Sequence, residues 1–416
     1  MNPSPEKGEH SRHPSAQSQR GLDWFIFFLA DVQTGFGPFV AVYLTTQKWT
    51  QSEIGLILSI GGVVGLIGQM PGGAVIDAVR SERLLAGLAV ATIGVSALAY
   101  AAWPIFPVIA MAAIFHAAAS CVLGPVIAAI SLGLVGPRAI GERLGRNARY
   151  ASLGNGVAAG VMGAVGYLLS SRAVFVVSFA FAIATLLSLA RIRDREIDPE
   201  QAHGAIARAE PNPQATSIVH LLHQRSLVIF ACTVFLLQFA NSAMLPLMAG
   251  IVTERSSRLA PALIALCIIV PQAIVALMSP SVGRKAQVWG RRPLLMIAFA
   301  ALALRGALFA TVHDPSLLVA VQVLDGITAA VFGVMIPLIV ADIAFGSGHF
   351  NLAQGIMGTA AGMGASLSNV VAGNVSDHFG HGIAFMALAA AALTGLLVIW
   401  ALMPETRLAE RPKQGS

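Results

Sequence analysis

Four ionisable residues, Asp31, His116, Arg305 and Asp325, stand inside stretches that are otherwise strongly apolar. An ionisable group at the centre of a bilayer costs roughly 2.5–3.5 kcal/mol on insertion scales, so groups of this kind mark ion or substrate paths. At about 1.5 Å per helical residue, all four fall near the middle of a hydrocarbon core ~30 Å thick. Arg305 and Asp325 occupy consecutive apolar stretches at matching depth, and an ion pair is the economical way to keep both there. Such a pair serves structure or function equally well, and a carboxylate held by Arg305 carries a proton only if the pair opens. Asp31 has no obvious cationic partner, since Arg305 is matched to Asp325, which makes it the group expected to carry a coupling proton. Its alternative is a hydrogen bond to an adjacent helix. His116 reads as a proton relay, a substrate ligand or a packing residue. Gln33 and Thr34 share one helical face, matched by Asn241 and Ser242, with Gln238 a turn earlier. That polar face is the expected substrate contact, with Asp31 at its flank, about 110° away. Gln272, Asn155 and Asn369 are expected to make interhelical hydrogen bonds.

The elements that must position these groups follow from composition. Of the 416 residues 56% are hydrophobic and 11% charged, against about 25% charged in soluble domains. Mean hydropathy is +0.75. A span needs about 20 mostly apolar residues. Twelve stretches qualify, at 22–44, 54–76, 84–103, 108–135, 148–170, 173–190, 227–252, 261–282, 294–312, 316–343, 352–375 and 383–402. They lack the alternation of a membrane β-barrel. Net charge is +6. Its basic residues lie in short loops, which points to membrane topology rather than nucleic acid. With a cytoplasmic N-terminus, 21 of the 26 Lys and Arg fall on the inner side and only Lys48, Arg172, Arg255 and Arg258 on the outer. Both termini are therefore expected in the cytoplasm. Cys121, Cys232 and Cys267 show neither disulfide nor metal spacing.

The polar connection near 191–225 divides the chain, and the halves repeat. Gln33 and Pro38 match Asn241 and Pro246 at an offset of 208, and His116 and Gly124 match Asp325 and Gly333 at 209. Gly73 and Asp77 match Gly283 and Gln287 at 210, and Gly154 and Gly160 match Gly358 and Gly364 at 204. Duplication of this kind is common in secondary transporters.

After the second span the chain reads Gly73-Ala-Val-Ile-Asp77-Ala-Val-Arg80-Ser-Glu82-Arg83, and after the eighth Gly283-Arg-Lys-Ala-Gln287-Val-Trp-Gly290-Arg291-Arg292. The pair resembles the loop signature of the major facilitator superfamily, approximately Gly-x-x-x-Asp-Arg-x-Gly-Arg-Arg, and the resemblance covers essentially the whole chain. Gly73, Asp77, Arg80, Gly283, Gly290, Arg291 and Arg292 are then the expected gating loops, whose charges can latch helix termini in one state. Two departures weigh against drug/proton antiport as that superfamily performs it. Ala113 stands where such exporters often carry an arginine, with His116 three residues on, and the glycines of the fifth span, Gly154 to Gly166, lack the antiporter proline.

The expectation is an all-α integral membrane protein of twelve transmembrane helices, in two six-helix bundles related by pseudo-twofold symmetry. Residues 1–20 would be a disordered cytoplasmic tail without the apolar core of a signal peptide. Residues 21–190 and 226–403 would be the bundles, 191–225 a cytoplasmic linker and 404–416 a cytoplasmic tail. The expected function is secondary active transport of a small organic solute across the cell inner membrane. Alternating access, proton coupling and efflux are the favoured form. A proton-coupled uptake symporter is the alternative, and a non-transporting scaffold or receptor the alternative of another class. The sequence carries no HExxH, GxSxG, CxxC or phosphate-cradling loop, so neither an enzyme, a cofactor nor a metal is expected. The partners would be the solute, protons and lipid, without nucleic acid, in a monomer.

Overall fold

The computed structural model describes residues 14–34, 40, 43–44, 46–49, 51–79, 81–202, 224–248, 260–312, 314–345, 347 and 349–406. Their long elements are all helical: α1 (Ala16–Thr34), α2 (Gln51–Ala78), α3 (Glu82–Ala102), α4 (Phe106–Leu168), α5 (Ser171–Ala190), α6 (Arg225–Asn241), α7 (Ala260–Trp289), α8 (Arg292–Thr311), α9 (Pro315–Ile343), α10 (Phe350–Phe379) and α11 (His381–Leu402). α4 holds two spans. At its middle Gly136 takes φ 71° and ψ 173°, a backbone that glycine adopts without a Cβ clash, and Pro137 brings no amide hydrogen. Residues 106–135 and 137–168 are thus the fourth and fifth spans, and the described helices supply twelve in all. The protein is an all-α integral membrane protein built as two six-helix bundles.

Two boundaries differ from expectation. The fifth span begins at 137 rather than 148, because charges read as a loop are helical and satisfied. Arg143 and Arg146 both donate to Asp23 on α1, Arg143 at 2.6 Å. α1 begins at Ala16, so residues 16–20 are helix rather than tail. The Glu196 carboxylate, in the connection after α5, accepts from Ser15 N at 3.0 Å and Ser15 Oγ at 2.8 Å just ahead of the helix.

Each half has its own apolar core, with Phe25, Val90, Leu123 and Phe175 in the first and Phe230, Phe299, Phe332 and Phe385 in the second. Ile67, Leu84, Val95, Leu277, Leu397 and Trp400 are more than half exposed, as a lipid-facing surface requires. The second core also takes in Ala128, Leu132, Ile140 and Leu144 from α4. The halves are therefore packed together around the α4 kink, on the side where both termini lie.

The contacts across the halves obey the repeat closely. A Cβ on Gly73 would run into the Asn351 carbonyl and Leu352 Cα, and one on Gly283 would meet the same atoms of Gly141 and Glu142. Gly355 faces Gln69 and Met70 just as Gly145 faces Ser279 and Pro280. All these positions are related by 210. Gly154 and Gly364 press on the Phe27 and Phe235 carbonyls, so Gly154 corresponds to Gly364, not to Gly358. The 204 offset is thereby corrected: a glycine ladder permits several registers, and contact chooses one. Arg83 Nη2 donates to the Ala190 carbonyl at 3.4 Å, and Arg292 Nη2, offset by 209, to that of Trp400.

Candidate transport site

Proline builds the first polar centre. Pro271 inside α7 has no N–H to offer the Cys267 carbonyl four residues back. Gln322 Nε2 of α9 donates to that carbonyl at 3.0 Å, and Gln322 Oε1 accepts Arg305 Nε at 3.0 Å. Arg305 Nη1 reaches Asp325 Oδ1 at 2.7 Å and Asn241 Oδ1 at 2.5 Å. Four helices thus converge on one guanidinium whose side chain is 1% exposed, while the Asp325 carboxylate is 21% exposed. Asn241, read from the sequence as a substrate contact, is spent on Arg305. Ser242 caps α6, and Gln238 packs beside Gly364.

The second centre is the seal on the terminus side. Asp77 at the end of α2 accepts Asn351 N at 3.2 Å, Asn351 Nδ2 at 2.8 Å and Leu352 N at 2.8 Å, so it caps the free amides of the α10 N-terminus in the opposite half. Arg291 and Arg292, expected to latch helix termini, bind within their own half. Arg291 Nε donates to Asp342 at 2.8 Å, Arg291 Nη1 to the Ala286 carbonyl at 2.6 Å, and the backbone N–H groups of both arginines to Glu405. Gly290, at φ 88°, leaves room for that carboxylate. The third centre was missed in the sequence, where its members seemed to lie in a loop and at a span end. Arg143 Nε donates to Asn147 Oδ1 at 2.7 Å, and Asn147 Nδ2 to Ser131 Oγ at 2.7 Å.

A cavity of about 510 Å³ lies between the halves. Its walls include Ile26 of α1, Phe332 and Ile336 of α9 and Met357 of α10, and its polar lining is Gln69, Asn147, Ser152, Asn155, Gln272 and Gln354. The single hydrogen of Ser152 Oγ is shared between the Gln272 carbonyl and Gln272 Oε1, both at 2.6 Å, which joins the halves across it. Gly124 and Gly333, matched by the repeat, both line it. His116 and Asp325 each lie eight residues before those glycines, about 12 Å along the helix toward the side away from the termini. Asn155 lines the cavity. Asn369 donates to the Ala365 carbonyl of its own helix at 3.1 Å rather than between helices. The side chains of Asp31, Gln33 and Thr34, and all of Arg80, lie outside the described residues. Among the described residues no group of three or more His, Cys, Asp or Glu is placed to hold a metal.

The profile of the MFS_1 like family matches residues 20–387. The chain belongs to the major facilitator superfamily. As a superfamily member it is 38% identical over 406 residues to an uncharacterized MFS-type transporter of Mycobacterium tuberculosis (strain CDC 1551 / Oshkosh), covering 95% of this chain and 96% of that one. The counterpart in strain ATCC 25618 / H37Rv matches equally. The fold is shared with the human organic anion transporter MFSD10 (TM-score 0.72, 15% identity, 92% of this chain and 100% of that one). It is also shared with the proton:xylose symporter XylE (TM-score 0.66, 16% identity, 94% and 96%). Membership makes this protein a multi-pass membrane transporter of small molecules, working by secondary transport.

Proposed function

We propose that this superfamily member is a proton-coupled exporter of a small organic solute, working by alternating access as a monomer in the inner membrane with both termini cytoplasmic. The observation that carries the coupling is the Arg305–Asp325 pair, set among four helices with Asp325 one turn from the cavity residue Ala329 of α9. Protonating Asp325 would cancel its hold on Arg305, and a guanidinium that loses its carboxylate in low dielectric must find another partner. The pair therefore converts a proton into helix rearrangement around Asn241 and Gln322. Export is supported by the cavity walls. Solutes that suit an apolar lining cross bilayers unaided, and a cell uses a gradient on them chiefly to oppose inward leak. The arginine-rich loops on the sealed side support cytoplasmic termini.

The test is solute flux in proteoliposomes. Asp325→Asn should keep equilibrium exchange and lose accumulation driven by pH. Asp31→Asn, at the carboxylate expected from the sequence to carry the proton, is the paired test: loss of pH-driven accumulation there with its retention in Asp325→Asn moves the coupling to Asp31. If Asp325→Asn accumulates normally, coupling lies elsewhere. Flux in inverted against right-side-out vesicles separates export from uptake.

A further inference from the structure

The cavity's amide lining specifies more than the presence of a solute. Gln354 Nε2 is buried and has no hydrogen-bond partner among the described residues. Burying an amide donor without a partner costs free energy, and a turn of the Gln354 side chain brings that donor to the cavity its residue lines. Gln272, across the cavity, gives its Oε1 to Ser152, which leaves its Nε2 as a second donor. No Arg, Lys, His, Asp or Glu lines the cavity among the described residues. The Arg143 guanidinium, bonded to the cavity residue Asn147, is already committed to Asp23 and the Gln19 carbonyl as well. An ionic solute would be desolvated here with no counter-charge.

We infer that the transported solute is uncharged and carries a carboxamide-type carbonyl oxygen on an apolar frame, with Gln354 and Gln272 donating to that oxygen while Ile26, Phe332 and Met357 enclose the frame. The cavity volume falls within the ordinary range for small-molecule sites. This inference rests on the central cavity being the transport site.

The test uses the purified full chain and matched probes: the carboxamide, carboxylate and methylammonium derivatives of naphthalene, biphenyl and indole. Binding is read as thermal stabilisation and by equilibrium dialysis. Carboxamides should bind, while their charged isosteres bind at least tenfold more weakly. Gln354→Leu should weaken the carboxamides at least tenfold without lowering the melting point of the empty protein, and Gln354→Asn should weaken them less. Equal or stronger binding of the charged members, unchanged binding to Gln354→Leu, or no carboxamide binding on any frame overturns the inference. Ala329→Phe, which fills the cavity from an exposed wall position, separates the two levels. Charged probes that bind and are lost in Ala329→Phe sink the solute class but leave the cavity as the site. Probes of any kind that bind undiminished to Ala329→Phe sink the cavity itself.

Discussion

Replacing Asp77 by Asn should unseal the terminus side. The Asp77 carboxylate takes three N–H donors from the start of α10, at 3.2, 2.8 and 2.8 Å. Hydrogen bonds to a charged acceptor contribute a net of about 1.5–3 kcal/mol each, and charge at a helix N-terminus about 0.3–2 kcal/mol. These terms overlap and one side of the latch meets water, so their joint contribution is about 2–4 kcal/mol. Asn keeps one acceptor oxygen but loses the charge and turns an N–H₂ group toward the Leu352 amide, donor against donor. The sealed state should lose about 2 kcal/mol relative to the open one, some 30-fold in population. Ala148, on the cavity wall, reports this as a single cysteine in a background lacking Cys121, Cys232 and Cys267. A membrane-impermeant maleimide applied from the terminus side should label Ala148→Cys at least about tenfold faster when Asp77→Asn is present. An unchanged labelling rate in a normally folded variant refutes the latch.

Arg305→Leu should cost about 3–5 kcal/mol by stranding Asp325. Arg305→Leu with Asp325→Leu should cost less than the sum of the single changes, and additive losses in thermal unfolding would show that the two do not interact. Glu196, outside the membrane, should keep the α1 start docked at all ordinary pH values. Burial works to raise its pKa, but hydrogen bonds from Ser18, Ser15 and Arg193 bring it down to about 2, from 4.5. Since the folded value is the lower one, this contribution is complete above about pH 4.5 and is lost as pH falls toward 2. Hydrogen exchange at residues 15–19, corrected for intrinsic rate, should be faster in Glu196→Gln at neutral pH, and the wild type should match it only in strong acid. Gln287→Asp should fail to rescue Asp77→Asn in the labelling assay; restored protection would contradict the account of the second seal given below.

Much of the fold is written in residue type, because a bilayer tolerates few arrangements of apolar sequence. The twelve stretches and the His116–Asp325 and Gly124–Gly333 correspondences follow from hydropathy and spacing. The Arg305–Asp325 contact follows from depth. What spacing could not settle was register and commitment. Gly154 has two plausible partners in a glycine-rich helix, and only its contact with the Phe27 carbonyl pairs it with Gly364. Asn241 looks like a free polar face until Arg305 is seen to occupy it. Asp23 sits at a span end, where a carboxylate needs no explanation, so nothing marked it as the anchor for two arginines 120 and 123 residues away. The cavity amides Gln69 and Gln354 lie on helices whose glycines drew attention to packing instead. The Gln322 bond to the Cys267 carbonyl had a readable signal, a proline four residues after that carbonyl with a glutamine on a neighbouring span.

The two halves seal the terminus side by the same backbone contact and yet only one carries a carboxylate, and the helix starts explain why. Gly73 meets Asn351 and Gly283 meets Gly141 at equivalent positions. α10 begins at Phe350, so Asn351 and Leu352 are its second and third residues, and their N–H groups have no partner within the helix. The fifth span begins at residue 137, after the Gly136 break. Gly141 and Glu142 are its fifth and sixth residues, past the four free amides. An aspartate at 287 would find no free helix-start amides at Gly141 and Glu142 to cap. Gln287 needs none: its Oε1 accepts from Arg291 at 3.4 Å and its amide lies over Gly141. One extra turn of helix has therefore turned a charged latch into a neutral contact. Only the Asp77 side is left to respond to charge, which is why placing Asp at 287 should not restore a seal broken at Asp77.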